Sequence, residues 1–176
     1  MAFLYNIGIQ AYHLAIQLAA PFNEKAALLC KGRKEVWKKA AGIQRGEGRL
    51  VWFHAASLGE FEQGRPVIEA LKAAEPATQI LLTFFSPSGY EIRKNYTGAD
   101  YILYLPGDTR RNAVRLIEKF RPDAAVFIKY EFWFHYLNEL NKRNIPVYLI
   151  SAIFRPNQPF FKSWGKLHRR MLGLSL

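Results

Sequence analysis

From residue 49 onward, the apolar positions of the chain follow two alternating periods. Short apolar runs rich in β-branched and aromatic residues predict buried strands. The segments between them repeat apolar residues three and four positions apart, which predicts helices. The predicted strands are 50–53, 79–84, 101–105, 124–129 and 147–151. The predicted helices are 62–74, a short helix that opens in the 86–89 turn and ends at Tyr96, a helix capped by Asp108 or Thr109 that ends at Phe120, and 131–143.

Strands and helices that alternate with short connections predict parallel strands joined by right-handed crossovers. We therefore expect an α/β fold over residues 49–176, with a Rossmann-like, doubly wound parallel sheet and helices on both of its faces. Ligands of such sheets bind at the carboxyl ends of the strands. Functional side chains are therefore expected just after each strand.

The first 22 residues contain no charged side chain. As one helix they would span ~33 Å, enough to cross the core of a bilayer. Four polar residues share one face of that helix because they recur three or four positions apart: Asn6, Gln10, His13 and Gln17. The segment is predicted to be a membrane anchor or an interfacial helix, and an ordinary amphipathic helix packed on a protein core is the alternative.

The formal net charge of +11 is concentrated in two blocks. Residues 23–49 have a net charge of +5, residues 50–152 of +1, and residues 153–176 of +5. Lys and Arg next to an apolar anchor favour the cytoplasmic side of a membrane and anionic lipid headgroups. We therefore interpret residues 23–48 as a basic juxtamembrane segment and linker. A nucleic-acid groove across the whole domain is disfavoured because the centre is nearly neutral.

The C-terminal block interleaves aromatic and basic side chains, among them Phe154, Phe160, Phe161, Trp164, Lys162 and Arg169. This pattern is found at lipid headgroup interfaces and also on proteins that bind single-stranded nucleic acid. The uncharged N-terminal segment favours the membrane interpretation. Single-stranded nucleic-acid binding remains an alternative that salt-sensitive oligonucleotide binding would reveal.

Several classes of protein are disfavoured by missing motifs. The single cysteine, Cys30, cannot form an intramolecular disulfide and fits a reducing compartment. No C-x-x-C or H-E-x-x-H spacing indicates a metal site. The dinucleotide fingerprint is absent after the first strand, as are the P-loop and the G-x-S-x-G elbow. We therefore expect neither a dehydrogenase, an NTPase nor an α/β-hydrolase, and neither a metal nor a cofactor.

The candidate chemistry lies where the first predicted strand leads through small residues into a helix. His54 and Glu60 flank this turn. A carboxylate in the first turn of a helix is easily ionised because the helix dipole favours its charge. Glu60 is thus either a general base or only a helix cap. His54 is either a substrate contact or a buried, hydrogen-bonded structural histidine.

Four short blocks resemble the signature of the Kdo (3-deoxy-D-manno-octulosonic acid) transferases, in the expected order over roughly residues 1–170. They are HAASLGE at 54–60, TFFSPSGY at 83–90, EFW at 131–133 and SAIFR at 151–155. One such block alone would be a weak signal, whereas four in order are specific. In the third block, Trp133-Phe134 stands where the family frequently has Trp-Pro, and Glu131 is unaffected.

The resemblance implies the N-terminal domain of a two-domain, GT-B type glycosyltransferase. It implies inverting transfer of Kdo from CMP-Kdo to the lipid A precursor, lipid IVA, at the cytoplasmic face of the inner membrane during lipopolysaccharide biosynthesis. The sequence resembles the acceptor-binding half only, and the donor-binding C-terminal domain of the family has no counterpart in it. The alternative is a non-catalytic, membrane-associated binding module with the same fold.

The resemblance also assigns roles to individual residues. Glu60 would be the general base and Glu131 a second essential carboxylate, although a Glu at the start of a helix is often only a first-turn acid. His54, Ser57 and Ser86 are candidate contacts to the acceptor. Lys129 and Arg155 could pair with the phosphates of lipid A, with anionic membrane lipids as further partners.

Overall fold

The computed structural model describes residues 2–129, 131–155, 157–158, 161–163 and 165–173. Phe160 and Trp164 of the aromatic C-terminal block lie outside the described residues. The helices are α1 (Ala2–Ala19), α2 (Glu24–Gly42), α3 (Leu58–Ala74), α4 (Pro87–Arg93), α5 (Arg110–Phe120), α6 (Phe134–Lys142) and α7 (Lys166–Gly173). The strands are β1 (Leu50–Ala55), β2 (Gln79–Phe84), β3 (Tyr101–Tyr104), β4 (Ala124–Ile128) and β5 (Val147–Ile150).

The five strands form one parallel sheet in the order β3-β2-β1-β4-β5. The first strand is therefore central, and His54 near its carboxyl end is paired with Thr83 of β2 and Phe127 of β4. Every residue of β1, β2 and β4 is buried. This burial explains the continuous apolar runs in the sequence, since parallel strands are covered on both faces.

Each face of the sheet carries its own hydrophobic core. Because successive side chains of a strand point to opposite faces, Trp52 packs with α5 and α6 while Phe53 packs with α3 and α4. Residues of α2 join both cores. Gly32 of α2 lies so close to the ring of Tyr104 that a Cβ there would overlap it. The predicted α/β fold with a parallel sheet and helices on both faces is confirmed.

Some element boundaries differ from the prediction. The first strand continues to Ala55, so His54 lies inside the strand, and α3 begins at Leu58 rather than at residue 62. The sixth helix begins at Phe134 rather than at residue 131. Glu131 is therefore a loop residue and not a first-turn helix acid, because the chain first passes through a left-handed residue, Lys129, with φ of 64°.

Asp108 and Thr109 cap two different helices, α6 and α5 respectively. Thr109 Oγ1 accepts a hydrogen bond from Asn112 N–H and caps α5. The two carboxylate oxygens of Asp108 instead accept the N–H groups of His135 and Tyr136, each at 3.2 Å. Asp108 thus satisfies the first free N–H groups of α6, a helix whose own cap residue makes no side-chain hydrogen bond.

The first helix rests on the domain through a mixed face that includes Tyr5, Asn6, His13 and Ile16, whereas Gln10 and Gln17 of the predicted polar stripe are exposed. Asn6 Oδ1 accepts a hydrogen bond of 2.6 Å from His135 Nε2, and the hydroxyl of Tyr5 donates to Asp108. The opposite side of this segment exposes large apolar residues, namely Phe3, Leu4, Ile7, Leu14, Leu18 and Phe22. Within the described part of the chain, no helix is long and apolar enough to span a bilayer.

Candidate active site

The carboxyl ends of β1 and β4 bring four candidate residues into one neighbourhood. His54 comes from β1, Glu60 from the first turn of α3, and Lys129 and Glu131 from the segment after β4. The charges of Glu131, Lys129 and His54 each act on the pKa of Glu60. The sheet topology thus assembles the two predicted carboxylates around one histidine.

His54 is fully buried and held on both sides of its ring. Its Nδ1 lies 3.1 Å from the carbonyl oxygen of Thr83 and 2.9 Å from Thr83 Oγ1. Its Nε2 accepts the indole N–H of Trp133 at 3.1 Å. Because an indole nitrogen only donates, this network places the imidazole proton on Nδ1, where the Thr83 carbonyl accepts it. His54 is therefore fully buried, with hydrogen-bond partners at both ring nitrogens.

Glu131 lies beside this histidine in the loop before α6. Its Oε2 accepts the same indole N–H of Trp133 at 2.9 Å and lies 3.5 Å from His54 Nε2. The side chain is 17% exposed, so most of it is shielded while part of it remains accessible. The indole thus fixes the orientation of this carboxylate although Glu131 belongs to no helix.

Glu60 is half-buried and turned back toward the end of β1. Its Oε2 accepts the N–H of Ala56 at 2.6 Å, a capping interaction at the start of α3. Burial and the negative charge of Glu131 nevertheless raise the pKa of Glu60. The sequence favoured a carboxylate that is easily ionised at a helix N-terminus. The structure corrects this expectation, because burial and the second carboxylate outweigh the hydrogen bond from Ala56 and the positive charge of Lys129.

The backbone is strained where β4 and β5 end beside each other. Lys129 and Ser151 both adopt left-handed conformations, with φ of 64° and 56°. Left-handed backbone is unfavourable for residues other than glycine and clusters at functional sites. The N–H of Lys129 donates to Ile150 O at 2.8 Å, which ties the two strand ends together.

Three other residues were predicted to contact the acceptor, namely Ser57, Ser86 and Arg155. Ser57 is the cap residue of α3 but its hydroxyl makes no capping hydrogen bond, so this hydroxyl remains available at the turn. Ser86 caps α4, accepting Ser88 N–H at 3.2 Å, and its own N–H donates to Ala56 O. Arg155 is exposed after β5, and none of its contacts in the described part of the chain reaches Glu60 or Glu131.

An aromatic stack behind the carboxylates was not foreseen from the sequence. The ring of Phe85 stacks on Trp133 with centroids 4.8 Å apart, and on Tyr12 of α1 at 6.0 Å. The guanidinium of Arg33 lies 4.7 Å from the centroid of Phe85. Phe85 and Trp133 do belong to the quoted signature blocks, which was the available signal. Nothing in the local sequence pattern pointed to Tyr12 or Arg33.

The arrangement suits proton transfer at the mouth of the sheet. A carboxylate whose pKa is raised is a better general base than one that keeps its ordinary pKa. The second carboxylate and Lys129 set the local field around it. No group of three acidic, histidine or cysteine side chains in the described residues could hold a metal ion.

The chain matches the family model described as "3-Deoxy-D-manno-octulosonic-acid transferase (kdotransferase)" over residues 30–174. It is 30% identical over 122 residues to a 3-deoxy-D-manno-octulosonic acid transferase of Chlamydia trachomatis serovar D, covering 66% of this chain and 28% of that protein. It is 36% identical over 84 residues to the protein of that name from Aquifex aeolicus, covering 47% and 23%. The chain thus spans about a quarter of the length of these curated relatives.

Among solved structures, a UDP-N-acetylglucosamine 2-epimerase superposes with a TM-score of 0.52 at 17% sequence identity. The match covers 73% of this chain and 40% of the epimerase. At this level of identity the similarity shows a shared fold.

Proposed function

The chain belongs to the 3-deoxy-D-manno-octulosonic-acid transferase family, and from this membership we propose that it is the acceptor-binding part of an inverting glycosyltransferase. The proposed reaction transfers Kdo from CMP-Kdo to the lipid A precursor, lipid IVA, in lipopolysaccharide biosynthesis. The observation that carries the proposal is the pair Glu60 and Glu131, which meet around His54 at the carboxyl end of the parallel sheet. Ligands of open α/β sheets bind at that end.

In the proposed reaction Glu60 is the general base. An acceptor hydroxyl transfers its proton to the Glu60 carboxylate while its oxygen bonds to the anomeric carbon of Kdo. The bond from that carbon to the phosphate oxygen of CMP breaks at the same time, and CMP leaves with the bonding electrons. Attack opposite the leaving group inverts the anomeric configuration. The raised pKa of Glu60 supports this role, because it strengthens the carboxylate as a proton acceptor.

Glu131 is proposed as the second essential carboxylate. Its negative charge raises the pKa of Glu60, and its own orientation is fixed by the indole of Trp133. His54 also accepts the indole N–H of Trp133, and it therefore acts through the same side chain that orients Glu131. The exposed part of Glu131 would contact the acceptor. This division makes Glu60 the group that takes the proton and Glu131 the group that sets its basicity.

The acceptor would lie along the loops after β1, β2 and β4. Ser57 offers a hydroxyl that is not used for capping, and Ser86 lies on the adjacent turn. Lys129 would pair with a phosphate of the lipid, and Arg155 would do so from the segment after β5. A second domain, beyond the quarter of the relatives that this chain spans, would bind CMP-Kdo and close the cleft.

The first helix is proposed to hold the protein on the cytoplasmic face of the inner membrane. One side of it contacts the domain, as between Asn6 and His135, while large apolar side chains on the other side are exposed. A helix with that division lies in the headgroup region with its apolar side in the acyl chains. Lys and Arg of α2 would meet the anionic headgroups beside it.

One observation favours the alternative of a non-catalytic binding module with the same fold. The hydrogen bond from Ala56 N–H already gives Glu60 a capping role. The two functions are separated by incubating the full-length protein, including its donor domain, with CMP-Kdo and lipid IVA. We expect a product heavier by one Kdo unit with inverted anomeric configuration, read by mass spectrometry and NMR. Acceptor binding with no product would identify the module instead.

A further inference from the structure

Arg33 of α2 occupies a cavity between α1 and α2 that is distinct from the neighbourhood of Glu60. The cavity has a volume of about 220 Å³. Its wall includes His13 and Gln17 from α1, Arg33 and Lys34 from α2, and Asn112 from α5. Pockets for drug-sized ligands are larger, about 300–1,000 Å³, so this cavity suits one small group.

The guanidinium of Arg33 has an aromatic neighbour but no anionic one. It lies over the ring of Phe85, and its Nε is buried without a hydrogen-bond partner. In the described part of the chain, no carboxylate lies within salt-bridge distance of it. Asp108 follows Gly107 of the cavity wall and is occupied by Tyr5 and by N–H groups of α6, and Glu35 follows Lys34 and pairs with Lys39. A half-buried guanidinium without an anion is energetically costly.

His13 lines the same cavity from the facing helix. Its ring packs so closely over Gly107 that a Cβ at that position would overlap it. Burial, and then the charge of Arg33, lower the pKa of His13, and burial also lowers the pKa of Arg33. The titratable groups that act on Arg33 are Tyr12, Tyr136, Cys30 and Tyr104, and Lys34 lines the same cavity. An anion between the helices would relieve both desolvated groups.

We propose that this cavity binds a phosphate group, held by Arg33 and Lys34 from α2 and by His13 from α1. A planar guanidinium can donate two parallel hydrogen bonds to phosphate oxygens, and the Phe85 ring keeps it in place for that. The stack from Phe85 to Trp133 links this phosphate subsite to Glu131. The phosphate belongs either to the glycolipid acceptor of the proposed function or to a membrane phospholipid, and the binding itself does not depend on sugar transfer.

The direct test is a titration of this chain with inorganic phosphate, followed through the imidazole NMR signals of His13. We expect a saturable shift of His13 in the millimolar range, with His54 unchanged because it is buried in a different network. Arg33→Gln should weaken this binding about tenfold or more. Lys38→Gln removes an exposed charge from the same helix and serves as the matched control. Equal, non-saturable shifts in both variants and in the unaltered chain would overturn the proposal.

Two further measurements identify the source of the phosphate. If a phospholipid provides it, Arg33→Gln lowers binding to phosphatidylglycerol vesicles and leaves the KM for lipid IVA of the full-length enzyme unchanged. If the acceptor provides it, that KM rises and vesicle binding is unchanged. Should Arg33→Gln fail to fold, the titration of the unaltered chain still decides, because His13 itself lines the cavity. Failure of the phosphate site would leave transfer by Glu60 measurable and unaffected.

Discussion

The carboxylate of Glu131 and the imidazole of His54 lie 3.5 Å apart, and the indole N–H of Trp133 points to both. The loop before α6 and the distant strand β1 thus share one donor at the carboxyl end of the sheet. If the indole N–H is removed, the buried Nε2 of His54 and the shielded Oε2 of Glu131 both lose this hydrogen-bond donor. The orientation of Glu131 therefore depends on an aromatic side chain as much as on backbone geometry.

Trp133→Phe keeps the stacking on Phe85 but removes the indole N–H. We expect a loss of about 1 kcal/mol in the free energy of unfolding, because a buried acceptor loses its hydrogen bond. Urea denaturation measures this. Trp37→Phe is the control, since no hydrogen-bond partner of the Trp37 indole occurs among the residues described and its ring packs on the core and against Arg115. Equal losses in the two variants would show that the shared hydrogen bond contributes nothing specific.

Glu60→Gln should change the pH dependence of stability. Because the pKa of Glu60 is raised by burial and by Glu131, its stabilising contribution is fully present below about pH 4 and is lost as pH rises through the raised value. Gln does not ionise, so the variant should gain stability relative to the parent between pH 4 and pH 7. Denaturation curves at several pH values measure the difference.

Glu62→Gln gives the control of opposite sign. The hydrogen bond from Arg93 lowers the pKa of Glu62, so that carboxylate contributes stability above its ordinary pKa and loses it as pH falls. Glu62→Gln should therefore lose stability relative to the parent as pH rises from 4 to 7. The same trend in both variants would contradict the assignment of a raised pKa to Glu60.

Tyr5→Phe should loosen the first helix. The variant removes the hydrogen bond from the Tyr5 hydroxyl to the buried carboxylate of Asp108, which also caps α6. We expect a loss of about 1–3 kcal/mol in the free energy of unfolding and faster amide exchange in α1. Tyr148→Phe removes a hydroxyl from an exposed tyrosine on β5 and should have little effect. Unchanged exchange in α1 would mean that other contacts hold the helix.

If α1 contacts the membrane through its apolar side, replacing exposed residues there should weaken membrane binding without changing the fold. Leu14 and Leu18 are 57% and 66% exposed, so replacing both by Gln should not disturb the core. Burial of a leucine side chain contributes about 1.5–3 kcal/mol, so binding to phosphatidylglycerol vesicles should fall at least tenfold. Val67→Gln on α3 is the control for an exposed apolar residue elsewhere. Unchanged vesicle binding by the double variant would remove α1 from the membrane interface.

Much of the fold follows from local pattern. The second strand was predicted at its observed limits, 79–84, because a buried apolar run is bounded by clear changes of composition. The start of α6 was missed by three residues, because the left-handed Lys129 and the cap from Asp108 depend on contacts with distant segments. The polar stripe of α1 was recognised, but its contact with His135 required the tertiary structure.

The site was predictable to a similar extent. Residue type, strand ends and the signature blocks selected Glu60, Glu131 and His54. The raised pKa of Glu60 could not be predicted, since it arises from burial and from a carboxylate in the loop after β4. The sequence also could not predict that Arg33 lines a cavity, because a basic helix usually presents its lysines and arginines to solvent.

The central claim is that the carboxylate of Glu60 accepts the proton of the acceptor hydroxyl. The most direct test is the kcat for Kdo transfer to lipid IVA by the full-length protein carrying Glu60→Gln, with Glu62→Gln as the control on the same helix. Loss of a general base costs about 100-fold or more, so we expect kcat to fall by that factor in Glu60→Gln and to remain near the parent value in Glu62→Gln. Transfer by Glu60→Gln at the rate of the unaltered enzyme would contradict the account.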